Sequence, residues 1–267
     1  MDIGIDSFAA TSAALGEQPP VGDADRMAFL LDEIVAADRA GLDVFGVGEH
    51  HRSDYLDSAT TVILAAAAAR TRTIRLASAV TVLSAADPVR VFQEFATLDL
   101  ISRGRAEMVV GRGSSVEAYP LFGFDLNDYD ALFAEKLDLL LAIRDRPAIE
   151  WSGRFRAPLR GQGIYPRPQQ PVLPIWLGVG GTPQSFVRAG TLGLPLMIAI
   201  IGGEIARFRP LVDLYRRAGV VAGHAPETLK VGVHALGFVA DSDGAARDAF
   251  SPGPLAASRQ KAKASSR

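Results

Sequence analysis

Two neighbouring histidines, His50 and His51, follow a short apolar run, and imidazole is the side chain best suited to proton transfer near neutral pH. Residues that follow a strand in an α/β protein lie at the carboxyl edge of the sheet, where barrel enzymes place their chemistry. Adjacent side chains point apart and no HExxH spacing is present, so we expect no metal site. The pattern suits acid–base chemistry by one of these histidines; the alternative is a pair of hydrogen-bonded loop histidines.

Two small-residue turns offer places for an anion. Arg112 has a glycine on either side and is followed by Ser114, so backbone and guanidinium could approach a phosphate together. Gly181, Thr182 and Ser185 precede or begin a helix, where backbone N–H groups favour negative charge. Neither turn has the third glycine of GxGxxG, so a nicotinamide-binding domain is not supported. The alternatives are a tight turn with a surface arginine and ordinary helix capping by Thr182.

The composition excludes several classes of protein. The net charge of −2 gives no basic footprint for nucleic acid, and the absence of cysteine removes disulfides and thiolate chemistry. The most apolar run, Leu192–Ile201, is half of the roughly 20 residues that span a bilayer. The first basic residue is Arg26, so no signal-peptide n-region is present. We expect a cytoplasmic protein that binds neither nucleic acid nor membrane.

Short β-branched runs alternate with helical patterns, which predicts an α/β protein with a parallel sheet. The predicted helix at 58–69 is capped by Ser58, and Asp87-Pro88 begins another. The predicted strands are Asp2–Phe8, Val44–Val47, Ile74–Val80, Ala106–Val110, Ile175–Val179, Leu194–Ile201 and Lys230–Val239. The other predicted helices are Asp25–Ala40, Tyr129–Ile143, Pro183–Gly190, Glu204–Ala218 and Asp243–Phe250.

The strand count predicts a (β/α)8 TIM-barrel type of fold that is truncated after the seventh strand, because such a barrel needs eight units. Residues 147–174 are rich in proline and are expected to form an insertion. We expect one domain over residues 1–250 and a disordered tail over 251–267. The first and last strands should then face a gap. A seven-stranded open sheet is the alternative.

Several short motifs in this order resemble the bacterial-luciferase-like flavin-dependent monooxygenases over most of residues 1–240. Each motif is weak alone, and their order and spacing carry the resemblance. They are Gly48-Glu49-His50-His51, Ala79-Val80, Ala86-Asp87-Pro88-Val89-Arg90, Leu100-Ile101-Ser102-Arg103-Gly104-Arg105, Gly111-Arg112-Gly113, Phe122-Gly123-Phe124-Asp125 and the glycine-rich turn before Pro183.

The resemblance implies roles for these residues. His50 would be the active-site histidine, and Ala79 and Val80 would lie against the flavin ring, joined by a non-proline cis bond. Phosphate contacts would come from Arg112, Ser114, Gly181, Thr182 and Ser185, although Gly181 stands where luciferase has an acidic residue and would contribute only backbone.

The implied cofactor is reduced FMN, which a separate flavin reductase could supply, and the implied reaction oxygenates a small organic substrate with O2. Relatives in the same superfamily instead use the deazaflavin F420 for hydride transfer. A non-catalytic or degenerate flavin-binding protein is the remaining alternative. The family also implies a homodimer that packs through the Ser58–Ala69 helix, unless its alanines pack on the barrel's own strands.

Overall fold

The computed structural model describes residues 1–113, 115–202 and 204–250. Its central feature is a parallel sheet that is nearly closed into a barrel, with strand order β1-β2-β3-β5-β8-β9-β10. The short strand β4 continues the course of β3 and pairs with β5. The strands are β1 (Gly4–Ser7), β2 (Val44–Val47), β3 (Arg75–Ser78), β4 (Thr81–Val82), β5 (Ala106–Gly111), β6 (Ala148–Trp151), β7 (Leu159–Gly163), β8 (Ile175–Val179), β9 (Leu196–Ile200) and β10 (Val231–Ala235).

Helices connect the strands, as expected for parallel pairing. They are α1 (Ser12–Leu15), α2 (Asp23–Arg39), α3 (Thr60–Arg70), α4 (Pro88–Ser102), α5 (Ala118–Leu121), α6 (Tyr129–Asp145), α7 (Pro183–Thr191), α8 (Arg209–Val221) and α9 (Asp243–Phe250). Short 3-10 helices lie at Leu83–Ala85, Leu126–Asp128, Ile205–Phe208 and Pro226–Thr228. None of the helices in the described part of the chain has the length and apolar character needed to cross a bilayer.

The seven strands of the barrel path appear in the predicted order, with ends that differ by a few residues. The largest difference is at β10, which ends at Ala235 rather than at Val239. Strand β3 ends at Ser78, just before the cis peptide bond between Ala79 and Val80. The cis bond itself confirms the prediction made for this position. Tail residues 251–267 lie outside the described residues, so the expectation of disorder there stays a prediction.

The prediction that Ser58 caps a helix is wrong. Helix α3 begins at Thr60, after Ala59, and Ala59 offers no side chain for capping. The Thr60 hydroxyl instead donates to the backbone carbonyls of Gly48 and Asp57, which ties the start of α3 to the end of β2. The predicted helix start at Asp87-Pro88 is confirmed, because Pro88 is the first residue of α4. The Asp87 carboxylate caps this helix by accepting hydrogen bonds from the backbone N–H groups of Val89 and Arg90.

Alternate strand residues pack outward beneath the helices and form the core. Phe45, Leu76, Met108, Leu177 and Ile198 are each at most 1% exposed. The intervening residues face the lumen of the barrel and include several glycines. The proline-rich segment 147–174 contains a separate antiparallel hairpin, β6–β7, as an excursion from the barrel.

The two ends of the strand order are β1 and β10, and no backbone bridge joins them among the described residues. The predicted gap between the first and last strands is therefore present. A contact between a carboxylate and an imidazole spans it, between Asp6 of β1 and His234 of β10.

Candidate functional site

His50 lies just beyond β2, at the carboxyl edge of the sheet, where a buried carboxylate holds it. Its Nδ1 lies 2.9 Å from Asp57 Oδ2, and its backbone N–H donates to Asp57 Oδ1 over 3.0 Å. The Asp57 side chain is fully buried and the His50 side chain is 14% exposed. Because a carboxylate faces Nδ1, this nitrogen carries the proton in the neutral ring, and Nε2 is left to exchange a proton.

Two aromatic rings enclose the His50 imidazole. Tyr55 stacks on it with ring centroids 4.2 Å apart, and Phe8 meets it edge-on at 5.1 Å. Gly48 is required at this point, because an added Cβ would lie 2.6 Å from Asp57 Oδ2 and 2.9 Å from the Phe8 ring. We call the group of His50, Asp57, Phe8 and Tyr55 the imidazole end of the lumen.

The cis peptide between Ala79 and Val80 lies inside the lumen among glycines. A Cβ on Gly111 or on Gly178 would come within 2.9 Å of the Val80 side chain, and one on Gly46 would come within 3.0 Å of Ala79 Cβ. These three glycines therefore make room for the segment.

Glu49, which precedes His50, holds the strand segment that follows the cis bond. Its Oε2 accepts a hydrogen bond from the Val82 backbone N–H over 2.9 Å, and its Oε1 lies 3.1 Å from His51 Nε2. Glu49 and His51 therefore join the loop after β2 to β4. This is the hydrogen-bonded loop arrangement considered as the alternative for the two histidines, and the bonds of His50 to Asp57 fit it as well.

Arg112 and Ser185 meet across the lumen from the histidine, although 73 positions separate them. Arg112 Nη2 donates to Ser185 Oγ over 3.2 Å, and Arg112 Nη1 forms an ion pair with Asp130. The guanidinium also lies over the Tyr129 ring, 5.0 Å from its centroid. We call the group of Arg112, Ser185, Asp130 and Tyr129 the anion end of the lumen. The two side chains are therefore close enough to share a phosphate, and their predicted phosphate contacts stay a prediction.

Two tyrosine hydroxyls fix the backbone of the turn that carries Arg112. Tyr119 donates to the Arg112 carbonyl over 2.9 Å, and Tyr129 donates to the Gly113 carbonyl over 3.0 Å. Burial raises the pKa of both phenols, so both remain donors at neutral pH. Because the tyrosine hydroxyls occupy the carbonyls of Arg112 and Gly113, the turn is held in a fixed conformation that carries the Arg112 guanidinium.

The other predicted anion residues are less closely involved. Gly181 and Thr182 are exposed at the start of α7, and Thr182 is the N-cap residue without a side-chain capping bond. Capping therefore does not occupy the Thr182 hydroxyl, which stays available to a ligand. Ser114 lies outside the described residues, and its predicted role stays a prediction.

Lys136 of α6 supports the segment that follows β4. It is 3% exposed, donates to the Ser84 carbonyl over 2.6 Å, and lies 3.6 Å from the centroid of the Phe124 ring. Burial lowers its pKa from 10.5 to about 8, against the opposing effect of nearby Asp87 and Glu135. A buried ammonium therefore ties α6 to the chain between the two ends of the lumen.

Sequence reasoning missed Asp57 and Asp130, the two acids that face the predicted His50 and Arg112. Asp57 could have been found from its place just before α3, since Asp commonly precedes a helix. Its contact with His50 nevertheless depends on how the loop folds back. Asp130 lies 18 residues from Arg112 on another element, and no spacing rule connects them.

Comparison with known proteins identifies the family. The family model described as luciferase-like monooxygenase matches residues 1–266, and the chain belongs to this family. An N-acetyl-S-alkylcysteine monooxygenase of Bacillus subtilis is 31% identical over 205 residues, which cover 70% of this chain and 57% of that protein. An F420-dependent glucose-6-phosphate dehydrogenase of Amycolatopsis mediterranei is 28% identical over 173 residues, 61% of this chain and 51% of that protein.

Solved structures show the same fold. A monooxygenase from Streptomyces bottropensis superimposes with a TM-score of 0.84 at 25% identity, covering 99% of this chain and 79% of that one. The oxygenating constituent of 3,6-diketocamphane monooxygenase from Pseudomonas putida, solved in complex with FMN, gives a TM-score of 0.76 at 20% identity. The superposition covers 92% of this chain and 69% of that one. The chain spans 61% and 52% of the length of two curated relatives from Sinorhizobium fredii.

Proposed function

We propose that this chain binds reduced FMN in the lumen of the barrel and uses it with O2 to oxygenate a small organic substrate. The observation that carries the proposal is the contact between Arg112 and Ser185, 3.2 Å apart at the carboxyl edge of β5 and β8. Neighbouring parallel strands deliver these two side chains to the edge of the barrel at which such enzymes bind phosphate groups.

The residues at the anion end fit the phosphate of a flavin nucleotide. A guanidinium offers paired donors to phosphate oxygens, and Ser185 adds a hydroxyl. Ser185 also lies in the first turn of α7, where the helix dipole favours an anion, although Pro183 has no N–H and the Ser185 N–H donates to the Thr182 carbonyl. Asp130 pairs with Nη1 of the Arg112 guanidinium. The Asp130 side chain is 74% exposed, so this carboxylate can rotate into solvent when a phosphate binds.

The cis peptide is the surface on which the flavin ring is proposed to lie. Gly46, Gly111 and Gly178 accommodate this segment, because the side chains of Val80 and Asp6 fill the space that their Cβ atoms would need. The role of these residues as the surface beneath the ring is the one that the family resemblance implies.

His50 is proposed to hold or move a proton at Nε2. Asp57 fixes the ring through Nδ1 and through the backbone N–H, so the imidazole does not have to reorient when a ligand binds. When bound, the reduced flavin supplies the two electrons that activate O2. Tyr55 and Phe8 cover the imidazole and limit the access of water to it.

A second candidate is hydride transfer with F420. It is favoured by the similarity to the F420-dependent glucose-6-phosphate dehydrogenase, which covers 61% of this chain. The same guanidinium and hydroxyl could hold the F420 phosphate, and His50 could then act as base toward a substrate hydroxyl.

Separate titrations of the purified chain with FMN and with F420 distinguish these candidates, followed by absorbance and fluorescence. We expect saturable FMN binding, together with substrate-dependent O2 consumption when a flavin reductase supplies reduced FMN. Saturable F420 binding without FMN binding would replace the first proposal by the second. FMN binding with no turnover on any substrate of a broad panel would indicate the non-catalytic alternative.

The oligomeric state stays a prediction. On α3, Ala67 and Ala68 pack inside the chain's own core, whereas Val62, Ala66 and Ala69 are exposed. We propose a homodimer through this exposed stripe. The mass from small-angle scattering at micromolar concentration is the measurement that checks it, and a monomeric mass would contradict it.

A further inference from the structure

A second carboxylate–imidazole pair lies at the two ends of the sheet. Asp6 Oδ2 on β1 lies 2.8 Å from His234 Nδ1 on β10, and the two side chains are 27% and 26% exposed. Because no backbone bridge joins β1 to β10 in the described chain, this contact spans the opening of the barrel. The pair is held in place and is still accessible to a small molecule.

Both side chains belong to the face of the sheet that lines the lumen. Asp6 pairs in register with Gly46, and a Cβ on Gly46 would lie 2.0 Å from Asp6 Oδ1. The same Cβ would lie 3.0 Å from Ala79 Cβ, so the carboxylate is close to the cis peptide. His234 pairs with Ala199 of β9, two residues beyond Gly232 on the same face.

The strand order places this pair far from the anion end. Arg112 and Ser185 follow β5 and β8, in the middle of the order, whereas Asp6 and His234 lie on its two terminal strands. A flavin with its phosphate at Arg112 and its ring near Ala79 therefore leaves the side of the lumen formed by β1 and β10 for another molecule. The occupant that this arrangement favours is the substrate.

The chemistry of the pair defines the group that it would recognise. Asp6 uses His234 Nδ1, so Nε2 is the nitrogen left for a ligand. An imidazole nitrogen accepts a hydrogen bond from a hydroxyl when neutral, and donates one to a carbonyl oxygen when protonated. Val80 lies beside Gly178, and Met197 and Trp176 lie beside Gly232, which suits a hydrocarbon body. The one polar atom of Trp176, Nε1, is occupied because it donates to the Glu107 carboxylate.

We propose that His234 binds the oxygen atom of a small ketone or secondary alcohol through Nε2, and that Asp6 is the residue that positions its ring. This inference rests on the proposed flavin site, because that site assigns the remaining part of the lumen to the substrate. The ligand class is an apolar molecule with one hydroxyl or carbonyl oxygen.

Imidazole 15N NMR tests the inference directly, because the chain has only four histidines. Cyclohexanone and cyclohexanol are titrated into the full chain, with and without FMN, and methylcyclohexane serves as the probe without oxygen. We expect saturable shifts of the His234 signals with the two oxygenated probes and none with methylcyclohexane. The signals of the other three histidines report whether each variant is folded.

Two amide substitutions identify the nitrogen that is used. Glutamine places its amide nitrogen near the position of Nε2, whereas asparagine reaches only the position of Nδ1. We expect His234→Gln to keep probe affinity within about fivefold and His234→Asn to weaken it about tenfold, as for the loss of one hydrogen bond. Because His234 is replaced, affinity in these variants is read from ligand-observed NMR. His224→Gln is the matched control, since His224 contacts the Thr191 carbonyl at an exposed position, and should change nothing.

Several outcomes would overturn the inference. They are an unshifted His234 in both the flavin-free and the FMN-loaded chain, an equal shift with methylcyclohexane, or equal affinity in the glutamine and asparagine variants. The test is separable from the proposed function. If the chain binds neither FMN nor F420, the proposed function fails, whereas saturable His234 shifts in the flavin-free chain would still support the oxygen site.

Discussion

The two ends of the lumen each pair an acid with a cationic or titratable side chain, but they differ in exposure. At the imidazole end, Asp57 is fully buried and makes two hydrogen bonds to His50. At the anion end, Asp130 is 74% exposed and meets Arg112 at the surface. A buried, bonded pair keeps its geometry without a ligand, whereas an exposed pair is worth little and exchanges readily. The first arrangement suits chemistry and the second suits a cofactor that enters and leaves.

The largest expected effect is at the imidazole end. His50→Ala should lower turnover by about 10²- to 10⁴-fold, the usual contribution of a general acid or base, and leave FMN affinity within a few-fold. Steady-state kinetics and FMN titration measure the two quantities. His224→Ala is the control at an exposed imidazole outside the lumen. Unchanged turnover in His50→Ala would assign the chemistry to another residue.

Asp57→Asn sharpens the same comparison, because it keeps the size of the side chain and removes the carboxylate that fixes His50 Nδ1. We expect about a tenfold loss of turnover, which corresponds to one buried hydrogen bond of about 1–1.5 kcal/mol. The pH profile of turnover should also change, whereas a purely structural role would lower thermal stability and leave the profile of the surviving activity as it was.

At the anion end, Arg112→Gln should weaken FMN binding by about tenfold to a hundredfold, because charge-assisted hydrogen bonds are worth about 1.5–3 kcal/mol. Riboflavin lacks the phosphate and should bind the variant and the unaltered chain equally. Fluorescence titrations with the two flavins provide the measurement. An equal loss for riboflavin would place the effect of Arg112 on the ring or on folding.

Between the two ends, Lys136 should give the fold a distinctive pH dependence. Burial lowers the pKa of Lys136 to about 8, so the cost of its charge in the folded state is full below that pH. The cost disappears as the pH rises from about 8 toward the ordinary value of 10.5.

Relative to Lys136→Met, the unaltered chain should therefore gain stability over this range, by about 1–3 kcal/mol. Denaturant unfolding of both chains at pH 7 and at pH 10 checks this difference. A constant difference between the two chains would show that the ammonium is not penalised by burial.

The smallest expected effect comes from the exposed acid at the anion end. Asp130→Asn should strengthen FMN binding up to about fivefold, because an exposed ion pair is worth at most about 1 kcal/mol. Asp128→Asn is the neighbouring control, since Asp128 pairs with Arg154 instead. Weaker FMN binding in Asp130→Asn would mean that Asp130 orients the guanidinium rather than competing with the phosphate.

Much of the barrel could be predicted from local patterns in the sequence. Strands such as Val44–Val47 and Ile175–Val179 were predicted at their observed bounds, because buried parallel strands leave continuous apolar runs. The helix start at Asp87-Pro88 was predicted from the preference of proline for the first helical position, which depends on adjacent residues alone. The start of α3 was not, because a hydroxyl bond from Thr60 to the distant Gly48 carbonyl determines it.

The sequence by itself determined which side chains are available for chemistry: an imidazole after β2, an arginine between glycines after β5, and small residues before α7. Only the tertiary structure decided their partners. Asp57 meets His50 because a loop folds back, Asp130 meets Arg112 across elements, and Asp6 meets His234 because the first and last strands of the sheet approach each other. The physical reason is that types and caps follow from neighbours in the chain, whereas contacts between acids and bases depend on closure of the barrel, which joins residues up to 228 positions apart.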